Sequence, residues 1–440
     1  MSAEWSSTSL GALIDIKHGF AFKGEHITDQ ETQNLLLTPG NFAIGGGFQP
    51  RKQKFYSGKI PDDYILAVGD LIVTMTDLSK EADTLGYSAL VPKSSFLMLH
   101  NQRIGKVVPK SEDALLGFLH WVMRTPDYRN EILANYSGST VKHTSPTKIL
   151  AYKFNLPPLA EQSEIAATLD ALEDKIKLNR KTAATLEGMA RALYRSWFVD
   201  FDPVRARAEG RTPAHMDPAT AALFPDSFGE DGLPVGWTLS SIGEVAEIVG
   251  GSTPSTKEDR FWVGGEHAWA TPKDLSNLGQ AFLFDTERKV TSAGLAKITS
   301  GRSPAGTLLL SSRAPIGYLA LATMPVAINQ GFIAIRETEA ISGIEAYFWC
   351  GESMDLIHAN ANGSTFQEIS KKNFRPLTYA LAPAAIRTAY NEQAGLWFAR
   401  MKELMDENRT LATLRDTLLP RLMSGALRVG AARALVEEVV

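Results

Sequence analysis

The sequence predicts an α+β protein in which two homologous mixed α/β domains are separated by two long helices forming an antiparallel coiled coil. Three observations predict it: the chain is written twice, each copy mixes strand-like and helix-like stretches, and each copy runs into an apolar seam with heptad spacing.

The repetition shows first in matched pairs of residues. Trp5 is followed five residues later by Leu10-Gly11 and Trp237 at the same interval by Ile242-Gly243, an offset of 232 that also places Ile16 on Ile248 and Gly19 on Gly251. Gly86-Tyr87 matches Gly317-Tyr318 at 231, Asn101-Gln102 matches Asn329-Gln330 at 228, Trp121 matches Trp349 at 228, and Gly138-Ser139-Thr140 matches Gly363-Ser364-Thr365 at 225. An ordered series whose offset drifts by only seven residues marks two diverged copies of one domain, residues 1–158 and 235–383. In them, strand-like stretches at 64–75, 307–311 and 317–322 alternate with helix-like ones such as 114–123, and Gly69-Asp70 and Ala305-Gly306 mark turns before apolar strands.

Each copy leads into a helix. Beyond Pro157-Pro158, which breaks any preceding helix, seam positions fall at Ile165, Leu169, Leu172, Ile176, Asn179, Ala183, Leu186, Ala190, Leu193 and Trp197. The steps alternate between four and three, the signature of a side turned continuously to another helix; at ~1.5 Å per residue it spans ~50 Å. Beyond Pro383, Trp397, Met401, Leu404, Asn408 and Leu411 keep the same rhythm, after which a stutter to Leu414 and Leu418 is expected to unwind the coil locally. Each seam carries one asparagine followed by arginine, Asn179-Arg180 and Asn408-Arg409, which makes the two seams natural partners, since a buried asparagine fixes register. Packing of each helix on its own domain, or pairing between chains, is the alternative. The division is then 1–158, a first helix at 159–201, a proline-rich connector at 202–234, 235–383, a second helix at 384–426 and a tail at 427–440.

Composition bounds what these domains do. A chain of 440 residues, 44% hydrophobic, buries several cores, and its formal net charge of −4 weighs against a simple electrostatic DNA glue while leaving room for local basic faces. The first residues carry an early acid and no basic segment, and no run of 18 apolar residues occurs, so a cytoplasmic location without a membrane is expected. Cys350 is the only cysteine, which leaves no disulfide or thiolate zinc site and reads as a buried, inert thiol. No catalytic or metal-binding set emerges. Gly45-Gly46-Gly47 lacks the spacing of a cofactor loop, Asn155-Leu156-Pro157-Pro158 is the start of a helix rather than a methyltransferase motif, Asp62-Asp63 and Glu230-Asp231 read as solvated acidic turns, and no Walker loop is present.

The sequence resembles the specificity subunits of type I restriction-modification systems. The resemblance rests on Leu156-Pro157-Pro158-Leu159-Ala160-Glu161-Gln162, on the stretch from Leu193 through Trp197-Phe198-Val199-Asp200-Phe201-Asp202-Pro203 to Arg205, and on Ala221-Ala222-Leu223-Phe224-Pro225. It continues through Leu233-Pro234, Gly236-Trp237, Gly250-Gly251-Ser252-Thr253-Pro254-Ser255 and Leu419-Pro420-Arg421-Leu422-Met423-Ser424-Gly425. It implies a non-catalytic subunit whose two target-recognition domains read the halves of an interrupted double-stranded DNA site. The helices would act as a ruler and dock two methyltransferase subunits, and motor-nuclease restriction subunits would complete the complex. No cofactor is expected on this chain; S-adenosylmethionine, ATP and magnesium belong to the partners. A non-DNA coiled-coil adaptor and a bifunctional enzyme are the competing readings. One departure stands out: Ala160-Glu161-Gln162 becomes Ala385-Ile386-Arg387 at the second helix.

Reading DNA needs phosphate contacts for position and side chains that reach base edges. Arg51, Lys52 and Lys54 form a candidate phosphate patch. The duplicated turns offer Ser139, Thr140, Lys142 and His143 in the first copy and Ser364 and Thr365 in the second, with different side chains on equivalent scaffolds. Thr256, Lys257, Lys273, Arg302 and Arg313 are further candidates, Arg313 foremost because a guanidinium grips guanine or phosphate with two hydrogen bonds.

Overall fold

The computed structural model describes residues 5–51, 53–276, 278–363 and 367–439. The chain forms two compact units, Met1–Asn179 with Glu407–Val440, and Arg180–Asp406, so the division falls inside both long helices.

The first unit is built around an antiparallel sheet of β1 (Ile14–His18), β2 (Leu71–Thr74), β3 (Ser88–Leu90) and β4 (Ile104–Pro109), ordered β1-β4-β2-β3. Ile14, Ile16, Leu71, Val73 and Val107 join one buried core with Phe118, Leu119 and Trp121 of the helix Leu116–Val122. A separate five-stranded sheet includes the strand Phe55–Tyr56. The helix α1 (Leu159–Phe198) places Leu169, Leu172 and Ile176 in the main core, where they meet Leu411 and Leu418 of α2 (Ala384–Met423). Contacts of Glu173 with Arg415 and of Asn179 with Asn408 run in opposite directions along the two segments, so they are antiparallel. Asn179 Nδ2 donates to Asn408 Oδ1 at 3.1 Å with both residues buried, the register pair the sequence predicts.

Leu414 packs partly buried against this core, and Arg415 beside it occupies the four-three position between Leu411 and Leu418. Arg415 is tolerated because Glu173 meets it at 2.7 Å and meets Arg124 at 3.3 Å, with all three side chains largely buried. Burial opposes ionisation of Glu173, but the two guanidiniums outweigh it and hold the carboxyl at about 2. Arg124 also lies over the Trp121 ring and donates to the Gly45 carbonyl at 2.7 Å, pinning the triglycine loop. The tail forms the helix Val429–Glu437, whose Val429, Ala432 and Val436 enter the same core.

The second unit repeats the plan with β5 (Glu247–Gly250), β6 (Phe282–Leu283), β7 (Leu308–Ser312), β8 (Ile316–Ala322) and β9 (Phe332–Arg336), ordered β5-β9-β7-β8-β6. Its helix segments bury Ala183, Ala190, Tyr194, Trp197, Tyr390, Phe398, Met401 and Met405 in one core; the predicted seam residues Leu186, Leu193 and Trp397 are only partly buried beside it, and Leu404 is buried. The proline-rich segment 202–234 is more than a connector: the helices Asp202–Ala208 and Pro218–Ala222 fold onto this unit, and Val204 and Phe224 are in its core. Cys350 is buried there as expected, and burial pushes its thiol up.

The departure at the second helix proves to be a substitution of means. Gln162 is fully buried; its Nε2 donates to the carbonyls of Asp113 and Pro157 and its Oε1 accepts from Leu115 N–H. Arg387, its counterpart, donates to the carbonyls of Glu339 and Ala382. Ala382 stands where the repeat puts Pro157, so the guanidinium repeats one of the contacts that the amide makes in the first copy.

Candidate nucleic-acid interface

The strand registers gather particular loops at one edge of each main sheet. In the first unit His18 pairs with Gly105 and Ile104 with Thr74, so the loop after β1, the loop before β4 and the residues after β2 share an edge. Gly19 is required there, because a Cβ at that position would lie 2.1 Å from the Asn101 carbonyl oxygen; its repeat mate Gly251 would meet the Ile328 oxygen at 1.9 Å. His100, kept neutral because burial lowers it to about 4, donates from Nε2 to the Ile104 carbonyl and holds the Asn101–Gln102 turn.

The duplicated Gly-Ser-Thr turn completes this edge. Ser137 and His143 exchange two backbone hydrogen bonds of 2.9 and 2.8 Å around it, and Gly138 has φ +91°, a left-handed conformation open to glycine. His143 pairs with Thr76 and Lys142 with Asp77. His143 Nδ1 lies 3.2 Å from Thr76 Oγ1. Burial opposes ionisation of Asp77, but donors from Ser79 and Thr84 hold its carboxyl below the usual range, which fixes the loop beside the hairpin. An open cleft on this edge is lined by His18, Thr76, Gln102, His143 and Thr147.

The second unit builds the same edge. Gly250 pairs with Ile333, Ser311 with Phe332 and Ser312 with Ile316, which brings together the loops after β5, before β9 and between β7 and β8. Asn362 and Glu368 exchange two 2.9 Å backbone hydrogen bonds around the second turn, Gly363 has φ +97°, and Arg313 bridges to Glu368 as Thr76 does to His143. Thr253 hydrogen-bonds Gln330 across the edge. Trp262 and Trp269 donate their indole N–H groups to the carbonyls of Ser255 and Ser252, holding the loop that exposes Thr256 and Lys257.

Ser139 and Thr140 are exposed at the first turn, with His143 beside them. Lys142, in contrast, is buried, and its ammonium donates to the Ser79 carbonyl at 2.6 Å. Arg313 lies at the second turn with Glu368. Arg51 is exposed and Lys54 pairs with Asp29, but they adjoin the five-stranded sheet rather than the loop edge. Lys273 pairs with Glu287 at 2.8 Å, and Arg302 approaches His267. Lys52, Ser364 and Thr365 lie outside the described residues. Sequence reasoning missed Thr76, His18, Gln102, Gln330 and Glu368; the matched Asn101-Gln102 and Asn329-Gln330 pairs were the available signal. Among the described residues no group of His, Cys, Asp and Glu is arranged to hold a metal, and no helix is long and apolar enough to cross a membrane.

The sequence model of the family described as type I restriction modification DNA specificity domain matches residues 3–188 and 234–382. The chain belongs to that family. It is a DNA specificity component rather than a catalytic one. It is 26% identical over 405 residues to the specificity subunit of the type I restriction enzyme HindI of Haemophilus influenzae, covering 79% of this chain and 87% of that protein. It is 37% identical over 139 residues to the MjaIX specificity subunit of Methanocaldococcus jannaschii, covering 31% of this chain and 32% of that one. The crystal structure of the type I restriction-modification S subunit from M. genitalium shares the fold, with TM-score 0.55 at 15% identity over 95% of this chain and 96% of that one.

Proposed function

We propose that the chain reads an interrupted double-stranded DNA site in the cytoplasm, one half with each loop edge, while serving as the scaffold for two methyltransferase subunits and for restriction subunits. The observation that carries this reading is the pair of edges themselves, with the same backbone closure and different side chains: Thr76 and His143 in one, Arg313 and Glu368 in the other. Shared closure gives a common way of approaching DNA, and divergent tips give different base contacts. The helices serve as spacer and docking surface. S-adenosylmethionine, ATP and magnesium act on the partner subunits. The net charge of −4 supports a further dependence, with tight binding completed by basic surface on those partners.

Exchanging residues 235–383 for the equivalent module of a related protein, followed by methylation mapping of the assembled complex, tests the reading. One half of the recognised sequence should change while the other persists. Two unchanged halves would reject that module as a reader.

A further inference from the structure

The second edge places an ion pair where the first places a threonine and a histidine. Arg313 Nη1 lies 3.6 Å from Glu368 Oε2, and both side chains are more than a third exposed. That separation exceeds hydrogen-bond length, and among the described residues the Arg313 guanidinium makes no hydrogen bond, so donors and acceptors face outward unspent. The backbone beneath them is fixed. Ser312 N–H donates to the Gly331 carbonyl at 2.8 Å and Ile369 N–H to the Ser312 carbonyl at 3.0 Å. Ser311 Oγ binds the Pro315 carbonyl and the Tyr318 N–H.

Resting on the function proposed above, we infer that Arg313 and Glu368 together read one G·C base pair of the second half-site from the major groove. In that groove guanine offers two acceptors, N7 and O6, and cytosine offers the N4 amino donor. Arg313 supplies two donors to guanine and Glu368 an acceptor to cytosine, whereas the order of groups on an A·T pair mismatches this row. One observation separates this from a phosphate contact, and a second separates it from a purely structural ion pair. A carboxylate beside the arginine would repel a phosphate but suits an amino group. The first edge closes the same hairpin with Thr76 and His143, so the ion pair is not required for folding.

The test uses the full chain assembled with its methyltransferase partners and maps methylation over a library of half-site variants. Arg313→Gln should replace the preference for G·C at one position of the second half-site with A·T, since glutamine suits adenine. Discrimination at that position should fall roughly 5- to 150-fold, with the first half-site unchanged. Glu368→Ala should relax the same position alone. Uniform weakening on every sequence with a salt slope shallower by about one would mark a phosphate contact and overturn the assignment, as would unchanged specificity in both variants. The 235–383 exchange is run alongside. If it changes one half while Arg313→Gln changes none, the base-pair assignment alone falls; if it changes neither half, the reading of the module falls and takes the assignment with it.

Discussion

The two coil segments solve the same packing problem with opposite chemistry. In the first unit the seam carries Asn179 against Asn408 and the chain Arg124–Glu173–Arg415. At the repeat-equivalent positions the second unit has Phe398 for Glu173 and Ala190 for Arg415, inside an aromatic cluster with Tyr194, Phe348 and Tyr390. An ionic network of this kind adds little net stability but penalises any other partner, because each unpaired ion stays buried. Aromatic packing contributes burial and tolerates small shifts. The first segment therefore dictates register and the second dictates adhesion.

The largest effects should come from breaking each solution. Glu173→Gln leaves the buried Arg124 guanidinium without a countercharge and Arg415 with only the exposed Asp416 at 2.8 Å, and should cost about 3–5 kcal/mol. Phe398→Ala should cost about as much through lost packing. Denaturant unfolding as a function of pH separates the two. Glu173 is depressed from an ordinary value near ~4.3 to about 2, so its contribution is complete above the unfolded value and is lost as the pH falls towards 2. The parent and Phe398→Ala should lose stability together over that window, and Glu173→Gln should lack this component. Parallel curves for all three would refute the ionic account of the seam.

The two helix starts sharpen the comparison with a smaller effect. Gln162→Ala removes a fully buried amide from two carbonyls and an N–H and should cost about 2–3 kcal/mol. Arg387→Ala, at a partly exposed joint where water can replace the donor, should cost about 1 kcal/mol. Arg387→Gln should recover most of it. An Arg387→Gln variant no more stable than Arg387→Ala would show that the amide and the guanidinium are not interchangeable there.

The smallest effect should appear at the paired tryptophans. Trp5 Nε1 donates to Glu161 at 3.0 Å, whereas Trp237 Nε1 is buried without a partner among the described residues, and Ile386 stands where Glu161 does in the first copy. Trp5→Phe should lose about 1 kcal/mol of hydrogen bonding beyond its change in volume. Trp237→Phe should lose only the volume. Equal costs measured by the same unfolding assay would mean that the Trp237 N–H finds an acceptor after all.

What was legible in the sequence is what repeats or keeps a period. The matched pairs located both domains, and the four-three rhythm located the coil and its asparagine pair. Arg415 was passed over because a search for apolar spacing discards a charge, and its partners lie on distant segments. The loop edges were half legible: the duplicated glycine turns were visible, but Thr76 and Glu368 join them only through sheet order, which residue types do not reveal. Lys142 looked like a surface cation, yet strand alternation turns it inward to the Ser79 carbonyl. Lys54 looked free because Asp29 lies on another strand-bearing segment.

The discontinuity of the first unit also bears on how the chain is made. Its helix segment ending at Asn179 finds its partner only in the segment beginning at Glu407. At about 5–20 residues per second, ribosomes take about 10 to 45 s to make the intervening stretch. Through that interval Leu169, Leu172 and Ile176 stand on a nascent chain with their coil partner not yet synthesised. The segment in between, which forms the second unit, is contiguous and can fold as it emerges. A growing chain thus has one unit complete while the other waits for its last helix, and the Glu173 carboxylate waits with it for the arginine that settles its register.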